Sequence, residues 1–497
     1  MSRIVVIGLD AFHTDLLQFT PHIRSLFDKN PSGVLESTTP PVTAPAWASF
    51  QTGKNQGKHG LYDFVEFDKH MNTSILDGTT LRSETFYEHL DDAGYDCFLF
   101  NLPFSCPARI KGDIVPSWLD SDDQPPTPRN LYNQYEIESP WYPTFGGGVK
   151  ENVEKMHSSV EHNCEQFLSV LKAEDHDFLF QLISETDWLQ HDAYFDLFEQ
   201  PDSDIGRVAS EVLAEVDKHV ERVSKSLNED DRLLLISDHG FRAFDKQLYI
   251  NDWLMEEGYL KSGNTKIGTK SDGGNSINLG ILGQILFRQE WLHPILKKSK
   301  YVVERISGIK VSSEKGISMS KSDAFCLSKD EHAIRLSDDL SDGEEERITE
   351  EIINKLNSEE GIDAFSREEV YEGPFVDEAG EIIYTSTDSQ VWRGPSGLVW
   401  RNSRKAHHSL YGIVTAIGFE NDEGVSDLDA SLLDISPTIL GIAGCAIPTD
   451  IDGEPISDLL SEEPEYTAPT EYNIEPSERT TQQNPDAEER LRDLGYL

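Results

Sequence analysis

The chain has 497 residues, 37% of them hydrophobic, enough to bury a sizeable core and leave room for a smaller second domain or a large insertion. Its 90 acidic residues against 43 basic ones give a formal charge of -47, with no run of Lys and Arg to reverse it, which argues against nucleic acid polymers and anionic membranes as partners. Such a charge repels itself in dilute buffer, whereas molar salt shrinks the screening length to roughly 3 Å, so adaptation to very high salt is expected.

The opening MSRIVVIGLD holds an apolar run, Ile4 to Leu9, that is too short to span a membrane and lacks a signal-peptide cleavage pattern; it is predicted as a first buried strand. No apolar stretch elsewhere approaches about 18 uninterrupted residues, so a protein without a membrane span, retained in the cytoplasm, is expected. Cys97 to Phe100, Phe178 to Ile183 and Leu233 to Ile236 are further strand candidates. Helical periodicity fills the gaps: Val160 to Leu171, and Ile205 to Leu227 with Val208, Val212, Val216 and Val220 four residues apart. Alternating elements of this kind predict an α/β fold, a largely parallel sheet with helices on both faces.

After Phe244 the character changes. Tyr249 to Tyr259 reads as an amphipathic helix, Gly263 to Gly274 is polar and glycine-rich, and Glu344 to Leu356 carries Ile348, Ile352, Ile353 and Leu356 on one stripe. With Phe325 to Arg335 and Glu369 to Tyr384, these assign residues 251–390 to an insertion, or cap subdomain, within a discontinuous sheet domain of residues 1–250 and 391–456. Tyr411 to Ile417 returns as a strand, and Asp434 to Leu440 begins a closing helix. Residues 457–497 form an acidic, proline-rich tail: Ser461 to Asp486 is linker-like, while Leu491, Leu494, Tyr496 and Leu497 supply enough apolar surface for a terminal docking segment, against the alternative of a frayed end. Cys97, Cys106, Cys164, Cys326 and Cys445 are scattered and odd in number, so structural disulfides are not indicated. Gly8 lacks the further glycines of a dinucleotide fingerprint.

Chemistry-bearing residues gather at the strand ends. Asp10 directly follows the first strand, and Asp238 with His239 follows Leu233 to Ser237, at the edge where open α/β sheets form their ligand crevice. Asp187 and His191 are four apart after Phe178 to Ile183, which puts both on one face if the segment is helical; the structural alternative is a local Asp–His hydrogen bond. His408 precedes the Ile413 to Ile417 strand, with His407 as its competitor. Oxygen and imidazole donors of this kind suit zinc or manganese. Thr43 sits in PPVTAPAW, a proline-restricted loop that can aim its hydroxyl at the crevice; as a nucleophile it needs a metal or base to activate it. Trp47 reads either as an aromatic wall beside Thr43 or as packing, and Lys54, Lys58 and His59 either as collectors of an anionic substrate or as structural groups.

IGLD at 7–10, PPVTAPAWASFQTGKNQGKHGLYDF at 40–64, ETDWLQH at 185–191, SDHGF at 237–241 and HSLYGI at 408–413 together resemble the alkaline phosphatase superfamily, most closely its type I phosphodiesterase and nucleotide pyrophosphatase branch. The similarity spans Ile4 through about Pro455 and implies an alkaline-phosphatase-like central sheet with an inserted cap. It also implies two divalent metal ions, zinc with manganese as runner-up: Asp187, His191 and His408 hold one, and Asp10, Asp238 and His239 hold the other and activate Thr43 as covalent nucleophile. The implied substrate is a small phosphoester or nucleotide-like molecule. Ala46 departs from the pattern, standing where relatives often carry a phosphate-binding asparagine three places after the threonine. The rival expectations are a phosphomonoesterase or phosphoryl transferase acting on a small metabolite, and an inactive anion-binding protein whose metals stabilise the fold.

Overall fold

The computed structural model describes residues 2–67, 73–261, 321–328, 330–394, 396–419, 427–469, 484–494 and 496. The glycine-rich stretch Gly263 to Gly274 and most of the predicted linker lie outside the described residues. The chain divides into two units, one of Met1–Ala243, Arg367–Ala379 and Lys405–Leu497, the other of Phe244–Ser366 and Gly380–Arg404.

The first unit is built on an eight-stranded sheet. In chain order its strands are β1 (Ile4–Leu9), β2 (Ser32–Glu36), β3 (Cys97–Phe100), β4 (Asp113–Val115), β5 (Phe178–Ile183), β6 (Arg232–Ile236), β7 (Tyr411–Ile417) and β8 (Asp427–Ser431). They lie side by side in the order β8, β2, β7, β6, β1, β5, β3, β4. The central strands β1 and β5 are buried at every position, so their sequences are unbroken apolar runs rather than alternating ones. Every pairing is parallel except those of β7, which runs antiparallel to β2 and β6. The C-terminal ends of β1, β5 and β6 therefore share one edge of the sheet with the N-terminal end of β7.

Helices cover both faces. The main ones are α1 (Thr43–Thr52), α2 (Val149–Leu171), α3 (Glu185–Glu199), α4 (Asp204–Lys225), α5 (Leu432–Ile442) and α6 (Pro485–Leu494). On α4 the predicted valine stripe faces inward, with Val212, Val216 and Val220 buried and Val208 half-buried. α1 starts where Pro45 fits the first helical turn at no hydrogen-bond cost, and it is buried along its whole length. Trp47 anchors it, edge-on to Phe50 at 5.4 Å and to Phe180 of β5 at 5.8 Å. That approach requires Gly8 of β1, where a Cβ would stand 2.6 Å from the Trp47 ring. Residues Arg367–Ala379 are tied to this unit by Tyr62, whose hydroxyl donates to the Phe375 carbonyl at 2.7 Å, and by Tyr371, whose hydroxyl donates to the Thr39 carbonyl at 3.0 Å.

The second unit carries an antiparallel four-stranded sheet, Ala324–Phe325, Ala333–Leu336, Ile382–Ser386 and Ile362–Ser366 in spatial order. Its helix Asp342–Leu356 buries Ile348, Ile352 and Leu356 and leaves Asp342, Glu344, Glu346 and Glu350 exposed.

Gly8→Ala should drive the new methyl into the immobile Trp47 ring and lower unfolding free energy by about 1–3 kcal/mol, measured by denaturant titration; a variant as stable as the parent would show that α1 is not held by this contact. With acidic side chains exposed in such excess, the thermal midpoint should rise by several degrees from about 0.1 M to about 3 M KCl as screening removes their repulsion. A midpoint that is flat or falls with salt would contradict this.

Candidate active site

Topology explains where the six candidate ligands stand in sequence. Asp10 leaves the end of β1, Asp187 lies in the first turn of α3 just beyond β5, and Asp238 and His239 follow β6, all at one edge of the sheet. Because β7 is antiparallel, the residue that reaches the same edge must precede it, and His408 does so. Thr186 locks α3 to β1: its hydroxyl donates to the Asp10 carbonyl at 2.6 Å. Gln190, one turn further, donates to the Ala11 carbonyl at 3.0 Å.

The side chains converge into two groups, Asp187 with His191 and His408, and Asp10 with Asp238 and His239; within each, the ligand atoms lie within 4.8 Å of one another. In the first, His191 Nε2 is 3.0 Å from His408 Nε2, and Asp187 Oδ1 is 3.4 Å and 3.3 Å from the two. In the second, His239 Nε2 is 3.3 Å from Asp238 Oδ2 and 3.8 Å from Asp10 Oδ1. The His239 and His408 rings stack at 4.1 Å, so the groups are neighbours. Two imidazoles are oriented from behind. His239 Nδ1 is 3.0 Å from the Gly240 carbonyl and His408 Nδ1 is 3.2 Å from that of Pro41; an N–H on each Nδ1 donates there and leaves the Nε2 lone pair facing the group. Thr43, the first residue of α1, places its Oγ1 3.1 Å from His239 Nε2. His407 is half-buried and its ring stacks beside Phe241, with centroids 6.3 Å apart.

The electrostatics call for cations. Burial, with the charges of Asp238 and Asp187 next, pushes the Asp10 carboxyl well above the usual carboxylate range, and burial does the same to Asp238. Burial would also raise Asp187, but the imidazoles of His191 and His408 outweigh it and hold that carboxyl well below its ordinary value. His239 is held neutral by burial and by the proximity of His408. Among the buried polar atoms without a hydrogen bond are Asp10 Oδ1, Asp187 Oδ1 and Asp238 Oδ2, one from each carboxylate and each aimed into its group. Buried charges in proteins are paired or coordinate metals, and this mixed carboxylate and imidazole donor set fits a divalent ion in each group.

The family model for type I phosphodiesterase / nucleotide pyrophosphatase matches residues 4–324. The chain belongs to this family. It is thus a phosphoester hydrolase of the alkaline phosphatase superfamily, in a family where metal dependence is typical. Solved structures share the fold: phosphonoacetate hydrolase from Sinorhizobium meliloti 1021 at 14% identity, covering 88% of this chain and 94% of that one, has a TM-score of 0.55. Human ectonucleotide pyrophosphatase / phosphodiesterase 5 at 13% identity covers 93% of this chain and 100% of its own, with a TM-score of 0.54. Alkaline phosphatase PafA at 13% identity covers 93% and 99%, also with a TM-score of 0.54. No curated protein matches the chain. The family match ends before His408, so the place of that residue rests on geometry.

In this phosphodiesterase-family chain, the residues left with two readings have structural partners. Trp47 is no open aromatic wall: it is fully buried in the core. Lys54 and Lys58 are engaged by carboxylates. Lys54 pairs with Asp450 at 2.5 Å and Lys58 pairs with Asp452, while His59 hydrogen-bonds Ser49 at 2.9 Å. Four contributors were not singled out for the site from sequence: Ala11, whose N–H donates to Asp238 Oδ1 at 3.1 Å from a left-handed backbone of φ 55°, Thr186, Gln190, and Tyr496, whose hydroxyl donates to Asp187 Oδ2 at 2.9 Å. No helix among the described residues is long and apolar enough to cross a membrane.

Metal analysis of protein purified in molar KCl should find two divalent ions per chain, with Asp238→Asn and His408→Ala each losing occupancy of one and retaining the other. Full occupancy in both variants would rule these groups out as metal sites.

Proposed function

We propose that this protein hydrolyses phosphodiester or pyrophosphate bonds of small, nucleotide-like substrates, using Thr43 as covalent nucleophile and two divalent ions, zinc with manganese as runner-up. The observation that carries this reading is the 3.1 Å contact of Thr43 Oγ1 with His239 Nε2, which stands the only hydroxyl singled out as a nucleophile against the lone pair a cation would use.

When bound, the two ions would neutralise phosphate oxygens and lower the proton affinity of the threonine hydroxyl. Asp10, Asp238 and His239 would hold the ion beside Thr43, and Asp187, His191 and His408 the other. Thr43 sits at the N-terminal end of α1, where the helix dipole favours a negative phosphate. Its Oγ gives up its proton to water and forms a bond to phosphorus as the phosphorus–oxygen bond to the leaving alcohol or nucleotide breaks, and that oxygen takes up a proton from water as it departs. Water then attacks the phosphothreonine, restores the hydroxyl and releases the phosphorylated product. Ala46 offers no amide to the phosphate, so the ions and α1 carry more of the oxygen binding than in relatives with an asparagine there. The acidic composition supports a halophilic protein working in a high-salt cytoplasm.

Chromogenic diester, monoester and sulfate reporters, assayed in molar KCl with zinc or manganese, should rank the diester first; monoester turnover with negligible diester turnover would replace this reading with a phosphomonoesterase. Thr43→Ala should lose on the order of 10³-fold or more in turnover, and acid quenching of the parent should trap phosphate on Thr43. Wild-type turnover in Thr43→Ala would refute the covalent mechanism.

A further inference from the structure

The C-terminal helix α6 docks on the first unit by specific contacts. Leu491 and Ala487 are fully buried, and Arg490, only 2% exposed, donates to the Trp118 carbonyl at 2.8 Å and the Asp120 carbonyl at 3.2 Å and pairs with Asp122. Asn484 donates to the Leu119 carbonyl at 3.0 Å. Beyond the helix the Tyr496 N–H donates back to the Leu491 carbonyl at 2.7 Å, which turns the chain inward. The Tyr496 ring then packs on Phe64 with centroids 4.7 Å apart, leaving the residue 5% exposed.

This route ends at the Asp187, His191 and His408 group. The Tyr496 hydroxyl is 2.9 Å from Asp187 Oδ2 and 3.4 Å from Nε2 of both His191 and His408. The three donors themselves are 3.0, 3.3 and 3.4 Å apart. Around a tetrahedral zinc with bonds of about 2.0 Å, neighbouring donor atoms stand roughly 3.3 Å apart. The phenol oxygen keeps that spacing to both imidazoles.

We propose that Tyr496 is a metal-site residue: the C-terminal helix delivers its hydroxyl to the fourth position of the Asp187, His191 and His408 centre, the position a substrate or leaving-group oxygen would otherwise take. Catalytic zinc sites keep one position open, so this centre is closed while the segment is docked and opens when Tyr496 withdraws. The proposal rests on the two-metal reading above. It assigns the tail a cis-acting role in metal retention and access.

Tyr496→Phe tests it, because the ring and its packing on Phe64 remain while the donor is lost. In molar KCl, zinc titration against a competing chelator should show two sites in the parent and, in Tyr496→Phe, about a 10–100-fold loss of affinity at one of them. At saturating zinc, kcat/KM of the variant should rise several-fold because the position is open. Arg490→Ala, which loosens the whole helix, should move both readouts in the same direction. Unchanged affinity at both sites in Tyr496→Phe would overturn the proposal, and turnover no higher than the parent's at saturating zinc would overturn the closure of the centre. A parent that binds fewer than two zinc ions would refute the two-metal reading and this proposal with it, whereas an inactive parent that binds two and loses affinity in Tyr496→Phe would leave the donor assignment standing.

Discussion

Three carboxylates, Asp10, Asp187 and Asp238, are buried within reach of one another at one edge of the sheet, and the rest of the site is arranged around the cost of that concentration of charge. In an interior of low dielectric, like charges a few ångströms apart do not stay ionised without a counter-charge. The protein's own groups are inadequate: two of the three carboxyls are pushed well above their ordinary range, and each of the three keeps an oxygen with no hydrogen bond. His191 and His408 offset Asp187 alone. The deficit is what a pair of divalent ions would remove, so the same constraint that burdens this cluster suits it to cations.

The fold meets this constraint by topology rather than by local motif. Parallel strands deliver residues to the edge from their C-terminal ends, which accounts for Asp10, Asp187, Asp238 and His239. The single antiparallel strand delivers a residue from its N-terminal end, which accounts for His408, more than 200 positions beyond His191 and 3.0 Å from it. Gly8 matters at the same level. It lets Trp47 lie against β1 and β5, and Trp47 in turn fixes the helix whose first residue is Thr43.

Much of this was legible because strands buried on both faces must be continuously apolar, so the runs before Asp10 and Asp238 mark both the strands and their ends. Helix spacing placed Asp187 and His191 on one face for a similar reason. What escaped depends on long-range partners. Lys54 and Lys58 look like substrate collectors in TGKNQGKHG, but Asp450 and Asp452, nearly 400 residues later, occupy them. Trp47 beside a presumed nucleophile invites a functional role, and only the depth of the Phe50 and Phe180 cluster shows that packing claims the ring. Thr186 and Gln190 act through backbone carbonyls, which have no sequence signature. Tyr496 was visible as an apolar end able to dock, but the direction of its hydroxyl follows from the turn back onto Leu491.

The net charge bears on substrate capture as well as stability. A phosphoester approaching a chain with a formal charge of -47 is repelled at distances where the whole surface acts, and in molar salt that repulsion is screened beyond roughly 3 Å. In such salt, long-range steering would contribute little in either direction, and recognition would fall to groups in direct contact with the phosphate. Lys54 and Lys58 are paired with carboxylates, and Ala46 supplies no amide. Under the proposed mechanism the attraction for the anion would come from the N-terminal end of α1 and from cations held by the six candidate ligands. On that reading, a group that takes up a coordination position there, a tyrosine hydroxyl included, would act on the main source of substrate affinity rather than on one contact among many.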